Sequence, residues 1–486
     1  MCIWHPEADS LTFDDSALDI VYYNNHVDSF MNSIKKLGIA GIKGQGKTFL
    51  IKAKRRGLEK NGSSLLLPKD SVMIDSLNSD IIIRSKQKNF FSSYTNWVSI
   101  WKLALAVTIL QHPEISNLLD SNLNDECKEP TLDLLSVRND NHRPSTIIYQ
   151  LLGMSVKQVN IALSDLSKLM QRISYIDRSI CVFIDKTDQA FSHHAYPVLG
   201  DTNSTVGYRN ASIWQYSQLA LANASYDIFV SSNRHIKVFY TIRQEALLDA
   251  ERVAPNTYRN FSSFITTLEY SKDDLYSMFS LYVMNEKSKN LREPDCKENN
   301  PEKAFVGVTL LSHGYVKDSE TLFSYIYRHT MGRASDIQQI CYDLFMENVK
   351  NLDIDKIRHI VNKTARKLLK EYIAEIEPFT IKSSSKIPTL LSGLNTNAFD
   401  IRYMKRTCKR YMLSSGILDN CKMQCEECFD LYPFCELYNI GLLGYLHINE
   451  TNSDEIEQRF VSPAQRLLIG QTASIPNSPL FFCIQQ

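Results

Sequence analysis

An excess of charge of either sign is missing from this sequence: 54 basic side chains balance 54 acidic ones over 486 residues. That balance excludes a chain-wide electrostatic footprint for nucleic acid and leaves only a local basic patch for that purpose. A secretory leader is not visible either. Met1-Cys2-Ile3-Trp4-His5-Pro6-Glu7 has no basic start followed by an apolar run. The most apolar stretch, Trp97 to Leu110, is too short to span a bilayer and carries Lys102, so it reads as a buried helix. Cysteines number eleven, an odd count in a long chain, which argues for reduced thiols in a cytoplasm rather than a disulfide framework. Internal repeats at solenoid or propeller periods are absent. So are a His-Glu-x-x-His zinc helix, a paired-acid nuclease signature with a lysine, and any defensible Ser/His/Asp order. His193-His194 reads as a solvated pair in a loop.

What is present is core material and a phosphate cradle. Hydrophobic residues make up 44%, and the length suits roughly two to four domains. A short apolar run, Leu37-Gly38-Ile39-Ala40, leads into Gly41-Ile42-Lys43-Gly44-Gln45-Gly46-Lys47-Thr48, and residues 47 to 59 then read as a helix. This is the strand–loop–helix order of a P-loop. Its glycines let backbone N–H groups turn toward phosphate oxygens, and the helix adds its positive dipole end. Gly41, Gly44, Gln45, Gly46, Lys47, Thr48 and Phe49 are the candidate nucleotide-binding residues. Lys47 would reach the β- and γ-phosphates, and Thr48 would ligate Mg²⁺.

Downstream, Ile180-Cys181-Val182-Phe183-Ile184-Asp185 is an apolar run ending in an acid, which suits a central parallel strand buried on both faces. Asp185 at its tip would hold the Mg²⁺ shell. Asp188 has two readings: it orients the attacking water, or it caps a following helix. A further β-branched run, Ile236 to Ile242, ends in Arg243. Arg243 would point at a γ-phosphate and report its presence, or it would pair with Glu245.

These three elements in this order resemble the AAA+ and STAND branch of P-loop ATPases. Asp185 and Asp188 are similar to the acid strand of NACHT-type proteins, and Thr241-Ile242-Arg243 is similar to their sensor-1 Thr-x-Arg. No Leu-Ser-Gly-Gly-like signature precedes the acid strand, which disfavours an ABC-type ATPase, and RecA-like helicase motifs are not evident. The segment Tyr327 to Ile337 opens a helix where origin-recognition ATPases carry a sensor-2 arginine; Arg333 matches best and Arg328 second. The alternative for Arg333 is a solvated surface arginine. STAND proteins have a Gly-x-Pro element here, and this chain lacks the proline, so the two branches stay open. ATP over GTP rests on the resemblance, because no Asn-Lys-x-Asp guanine motif is visible.

The last hundred residues resemble a winged helix, with helices over Asn397 to Met412 and Cys428 to Ile440 and wing strands over Leu442 to Ile448 and Leu480 to Ile484. Lys405-Arg406-Thr407-Cys408-Lys409-Arg410-Tyr411 would suit phosphate contacts, or form a solvated helix face. Cys421, Cys425, Cys428 and Cys435 could close a tetrahedral zinc site; an ordinary buried thiol is the other reading of Cys435.

The expected architecture is α/β: a P-loop parallel sheet over residues 1–255, a helical lid over 256–380 and a winged-helix-like domain with the cysteine cluster over 381–486. The expected function is a cytoplasmic, non-membrane ATPase switch that binds ATP and Mg²⁺, oligomerises and controls an effector protein. The resemblance further suggests an anti-phage defence setting. The alternative is a DNA-binding loader or initiator that grips DNA with its tail.

Overall fold

The computed structural model describes residues 3–6, 16–68, 75–76, 83, 87–120, 143–191, 213–247, 250–312, 319–347, 352–376, 398–400, 402–403, 406–407, 443–448, 456–459 and 481–484. Residues 121–144, a polar Asn/Asp-rich stretch that reads as a surface insertion, lie almost wholly outside them, as do residues 383–388, which read as a linker, and the four-cysteine cluster.

An α/β unit comes first. Its strands are β1 (Gly38–Gly41), β2 (Leu65–Leu67), β3 (Asp75–Ser76), β4 (Ile180–Asp185), β5 (Ile236–Arg243) and β6 (Ile265–Thr267). Their order is β2-β4-β5-β1-β6, with β3 also on β4, and every pairing is parallel. β4 is buried along its whole length. That burial is why it reads as an unbroken apolar run, since helices cover both faces of such a sheet. Phe183 and Phe239 stack across β4 and β5 with ring centroids 5.3 Å apart. Register sets the site: Gly41 pairs with Arg243, and Ile184 with Tyr240. The C-terminal tips of β1, β4 and β5 therefore share one edge, the place where open parallel sheets hold their ligands.

The helix Tyr94–Leu110 buries side chains on every face, as expected of a helix apolar all round. It packs along Ile213–Ser231, where the Trp101 Nε1–H donates to the Ser217 carbonyl at 2.8 Å. No helix among the described residues is long and apolar enough to cross a membrane.

A second apolar cluster gathers the helices Lys272–Asn285, Pro301–Val306, Leu322–Tyr327, Ala334–Met346 and Ile354–Ile376. A reciprocal capping box between Ser271 and Asp274 starts the first of them. Trp4, 1% exposed, packs into this cluster against Phe305, Tyr282 and Phe279. Phe261 and β6 belong to the first core, so the sheet runs past residue 255.

The sequence reads as one helix each over 156–174, 318–329 and 334–370, and the structure divides these. Residues 156–174 form two helices, Val156–Ser164 and Leu166–Ser174, and the stretch from 334 to 370 splits between Ala334–Met346 and Ile354–Ile376. Residues 319–321 form a strand, β8, paired with β7 (Leu310–Ser312), and the helix begins after it at Leu322. In the tail, β9 (Ala398–Asp400), β10 (Leu443–Ile448), β11 (Ile456–Arg459) and β12 (Phe481–Ile484) make an antiparallel sheet ordered β11-β10-β12-β9. β9 stands where a helix was expected to begin. β10 and β12 do pair, as the two expected wing strands would.

Candidate nucleotide site

The cradle occupies the turn between β1 and the helix Lys47–Asn61. Gly46 takes a left-handed conformation at the helix start (φ 81°), and no side chain caps that end. Gly44 is also left-handed (φ 84°). Gln45 is buried, and its Oε1 accepts from the Ile42 N–H at 3.0 Å, bracing the loop from within. A Cβ on Gly41 would come within 2.5 Å of that same oxygen, so a larger residue there would push the Gln45 side chain off this brace. Around Gly46 a Cβ would meet nothing within 4 Å, which leaves space at the helix N-terminus. Phe49 is half-buried against the first core, and Thr48 is half-buried at the mouth of the helix.

Lys47 folds back over the loop. Its Nζ donates to the carbonyls of Gly41 at 2.8 Å and Ile42 at 2.9 Å. Desolvation, helped by the nearby Arg243 cation, pushes its amine down to about 8. Asp188, Glu245 and Asp185 act the other way, which places three carboxylates within electrostatic reach of Lys47.

Asp185, 3% exposed, accepts from the Thr241 hydroxyl through Oδ1. Thr241 sits on β5, so the same residue run that ends in Arg243 also fixes the acid of β4. After Asp185 the chain turns sharply through Lys186 (φ 58°) into the short helix Thr187–Ala190. Asp188 lies inside that helix's first turn; Lys186 holds the cap position, so the capping role is not the one Asp188 fills. Its carbonyl accepts from Trp214 Nε1–H at 3.0 Å.

Arg243 is 9% exposed and lies against carboxylates of Glu245 and Asp188. Its Nη2 donates to Glu245 at 2.6 Å and its Nε at 3.2 Å, while Nη1 lies 3.7 Å from Asp188 Oδ2. Its backbone N–H donates to the buried Gln218 side chain at 2.8 Å. Burial opposes the charge of Glu245, and the Arg243 guanidinium outweighs it, holding the carboxyl below its ordinary range. Sequence reasoning saw Glu245 only as a competitor for Arg243.

The second cluster reaches the cradle through one helix start. The Ser335 N–H donates to the Gly44 carbonyl at 2.9 Å. A Cβ on Gly44 would lie 2.2 Å from Ser335 Oγ and 3.3 Å from Arg333 Cδ. Arg333, 7% exposed, also stacks its guanidinium over Tyr372, 4.7 Å from the ring centroid. It is a buried residue beside the cradle rather than a solvated one. Arg328, the second candidate, instead forks onto Glu320 at 2.9–3.2 Å and lies over Tyr325. Ser335 carries no sequence signal beyond its neighbour Arg333.

Hard oxygen donors suit Mg²⁺. The Thr48 hydroxyl and Asp185 Oδ2 are the groups here that could hold it. Among the described residues no cluster of three or more His, Cys, Asp or Glu could hold a metal ion by itself. Cys421, Cys425, Cys428 and Cys435 lie outside the described residues. No family model matches the chain, and no curated protein matches it.

Proposed function

We propose that this chain is a P-loop ATPase of the AAA+/STAND kind, a switch that binds ATP with Mg²⁺, hydrolyses it, assembles with copies of itself and controls an effector protein. An anti-phage defence setting belongs to the same reading. The observation that carries it is the meeting of Gly41 to Thr48, Asp185, Asp188 and Arg243 along one edge of a parallel sheet, fixed by the Gly41–Arg243 register.

The residues divide the work by position. The left-handed glycines Gly44 and Gly46 free backbone N–H groups for phosphate oxygens, and the uncapped helix start adds its dipole. Lys47 exchanges the Gly41 and Ile42 carbonyls for phosphate oxygens, a trade that favours its charged form. Thr48 and Asp185 would hold the cation, with Thr241 fixing the Asp185 rotamer. Mg²⁺ there would supply charge neutralisation at the phosphates. Asp188 orients the attacking water and accepts its proton. Arg243 stabilises charge on the transferred group, and Arg333 brings the second cluster to the same phosphates. Catalysis of this kind is positioning plus electrostatics.

ATP turnover and binding by the parent, Lys47→Ala and Asp188→Ala chains test the reading. Lys47→Ala should lose measurable ATP binding, and Asp188→Ala should bind ATP while losing turnover by roughly 100-fold or more. Turnover at the parent rate in both variants would overturn the assignment. Sizing of the chain with and without ATP tests the assembly.

A further inference from the structure

The helix Ile354–Ile376 carries a feature that the nucleotide reading does not use. One side of it is apolar and buried: Ile357, Val361, Leu368 and Tyr372 all lie in the second core. The opposite side is basic. His359, Asn362, Lys363, Arg366, Lys367 and Lys370 line a groove of about 430 Å³. All six are exposed. His359, Lys363, Arg366 and Lys370 stand at i, i+4, i+7 and i+11, one row on a helix, spanning about 16 Å. Lys367 flanks the row and has a long contact of 4.0 Å with Glu371. Lys363, Arg366 and Lys370 have no ion-pair partner among the described residues. Like charges three and four residues apart destabilise a helix, so in the free chain this row costs stability. In a chain of zero formal net charge it is a local concentration, not a reflection of composition.

We propose that this face docks the phosphate backbone of duplex DNA. A straight row of cations on a rigid helix complements a rigid row of phosphates, and release of the duplex's counterions supplies the affinity. Single strands are bound through aromatic stacking platforms as well as charge, and no Phe, Tyr or Trp stands in the row. An anionic membrane is disfavoured because interfacial helices bury their apolar face in lipid, and here that face is committed to the core. None of these six residues belongs to the cradle, so the proposal does not rest on the ATPase reading.

The test is anisotropy of a labelled duplex of about 20 base pairs, titrated across salt, with the parent chain and a Lys363→Gln/Arg366→Gln/Lys370→Gln variant. The parent should bind, and the variant should lose at least about 30-fold in affinity at low salt, with the log K against log salt slope shallower by roughly 3. Circular dichroism should be unchanged, since the substituted side chains are exposed and glutamine suits a helix; should the triple variant melt early, Lys363→Gln alone should still shift the slope by about 1. Failure of the parent to bind the duplex would overturn the proposal. So would parent-like binding by the variants, which would place the contact elsewhere in the chain. Preference for single strands, for duplex RNA or for anionic vesicles over duplex DNA would overturn it equally.

Discussion

Arg243 grips Glu245 through two of its guanidinium nitrogens, at 2.6 and 3.2 Å, while its third leans toward Asp188 at 3.7 Å. The arginine proposed to sense a γ-phosphate is thus already engaged by carboxylates. A γ-phosphate must compete with Glu245 for it. Replacing Glu245 with glutamine keeps the shape and removes the charge. The Glu245→Gln chain should therefore bind ATP more tightly relative to ADP, by about 10-fold, the worth of one charge-assisted hydrogen bond. Calorimetric titration with both nucleotides reads this. Equal changes for ATP and ADP would mean that Arg243 does not face the γ-phosphate.

Gly44→Ala tests the join between the cradle and the second cluster. A methyl group there meets Ser335 Oγ at 2.2 Å, and the backbone at φ 84° disfavours any side chain. The strain alone is about 1 kcal/mol, and the clash adds to it. Thermal melting should show a loss of several degrees, and nucleotide affinity should fall. Adding Ser335→Ala should recover the part due to the clash and leave the part due to φ. Full recovery would show that the backbone conformation is not strained.

The sheet and its site were legible in the sequence to different depths. Ile180–Asp185 and Ile236–Arg243 could be read because strands buried on both faces are written as apolar runs, and their tips then name Asp185 and Arg243. β2 and β6 were missed because three-residue strands carry too little pattern to separate from loop. Ser319–Thr321 reads as helix in the sequence, since no alternation marks so short a hairpin arm. Ser335 was invisible because it contributes a backbone N–H to Gly44, and every residue but proline has one. Arg333 is placed by resemblance alone; its burial against Tyr372 needs the helix Ile354–Ile376, which begins 21 residues later. Glu245 was seen but given the smaller part, because its neighbour's charge cannot be aimed from sequence.

Lys54 predicts how stability depends on pH. Its Nζ donates to the carbonyls of Phe30 at 2.5 Å and Met31 at 3.2 Å, at the end of the helix Asn25–Asn32, between the rings of Phe30 and Phe239. Desolvation pushes its amine from the usual 10.5 down to about 8. Above about 8 the folded chain gives up this proton before the unfolded chain does, so stability rises with pH toward 10.5. Lys47 adds a second contribution in the same window. Buried Cys181 and Cys341, raised from 9.0, and buried Tyr240, raised from 10.0, oppose both as the unfolded thiols and phenols ionise. Denaturant unfolding between pH 8 and 9.5 should therefore show the parent gaining stability relative to Lys54→Met as pH rises, so that the two chains differ in slope. An unchanged slope in the variant would show that Lys54 titrates normally.

Trp4→Ala removes the largest side chain of the second cluster. Its ring lies 4.8 Å from that of Phe305 and 5.6 Å from that of Tyr282, centroid to centroid. The expected cost is about 3–5 kcal/mol, read as a lower melting temperature for the helices from Lys272 onward. Tryptophan fluorescence should lose a buried component. A change under about 1 kcal/mol would mean that the cluster closes without Trp4.

The position of Trp4 also orders the assembly of the chain. It meets Phe305 across about 300 residues, and closing so long a loop in an unfolded chain costs about 5 kcal/mol in entropy. Once Leu37 has bonded to Phe264 beside β1 and β6, the sheet has already closed most of that loop. What remains is the short path from Trp4 to the sheet and from the sheet to Lys272. The contact is thus affordable only after the parallel sheet exists, which makes Trp4 a late addition to the second cluster and an early one to leave it, a difference that hydrogen exchange would resolve as weaker protection beside Trp4 than in the helices from Lys272 onward.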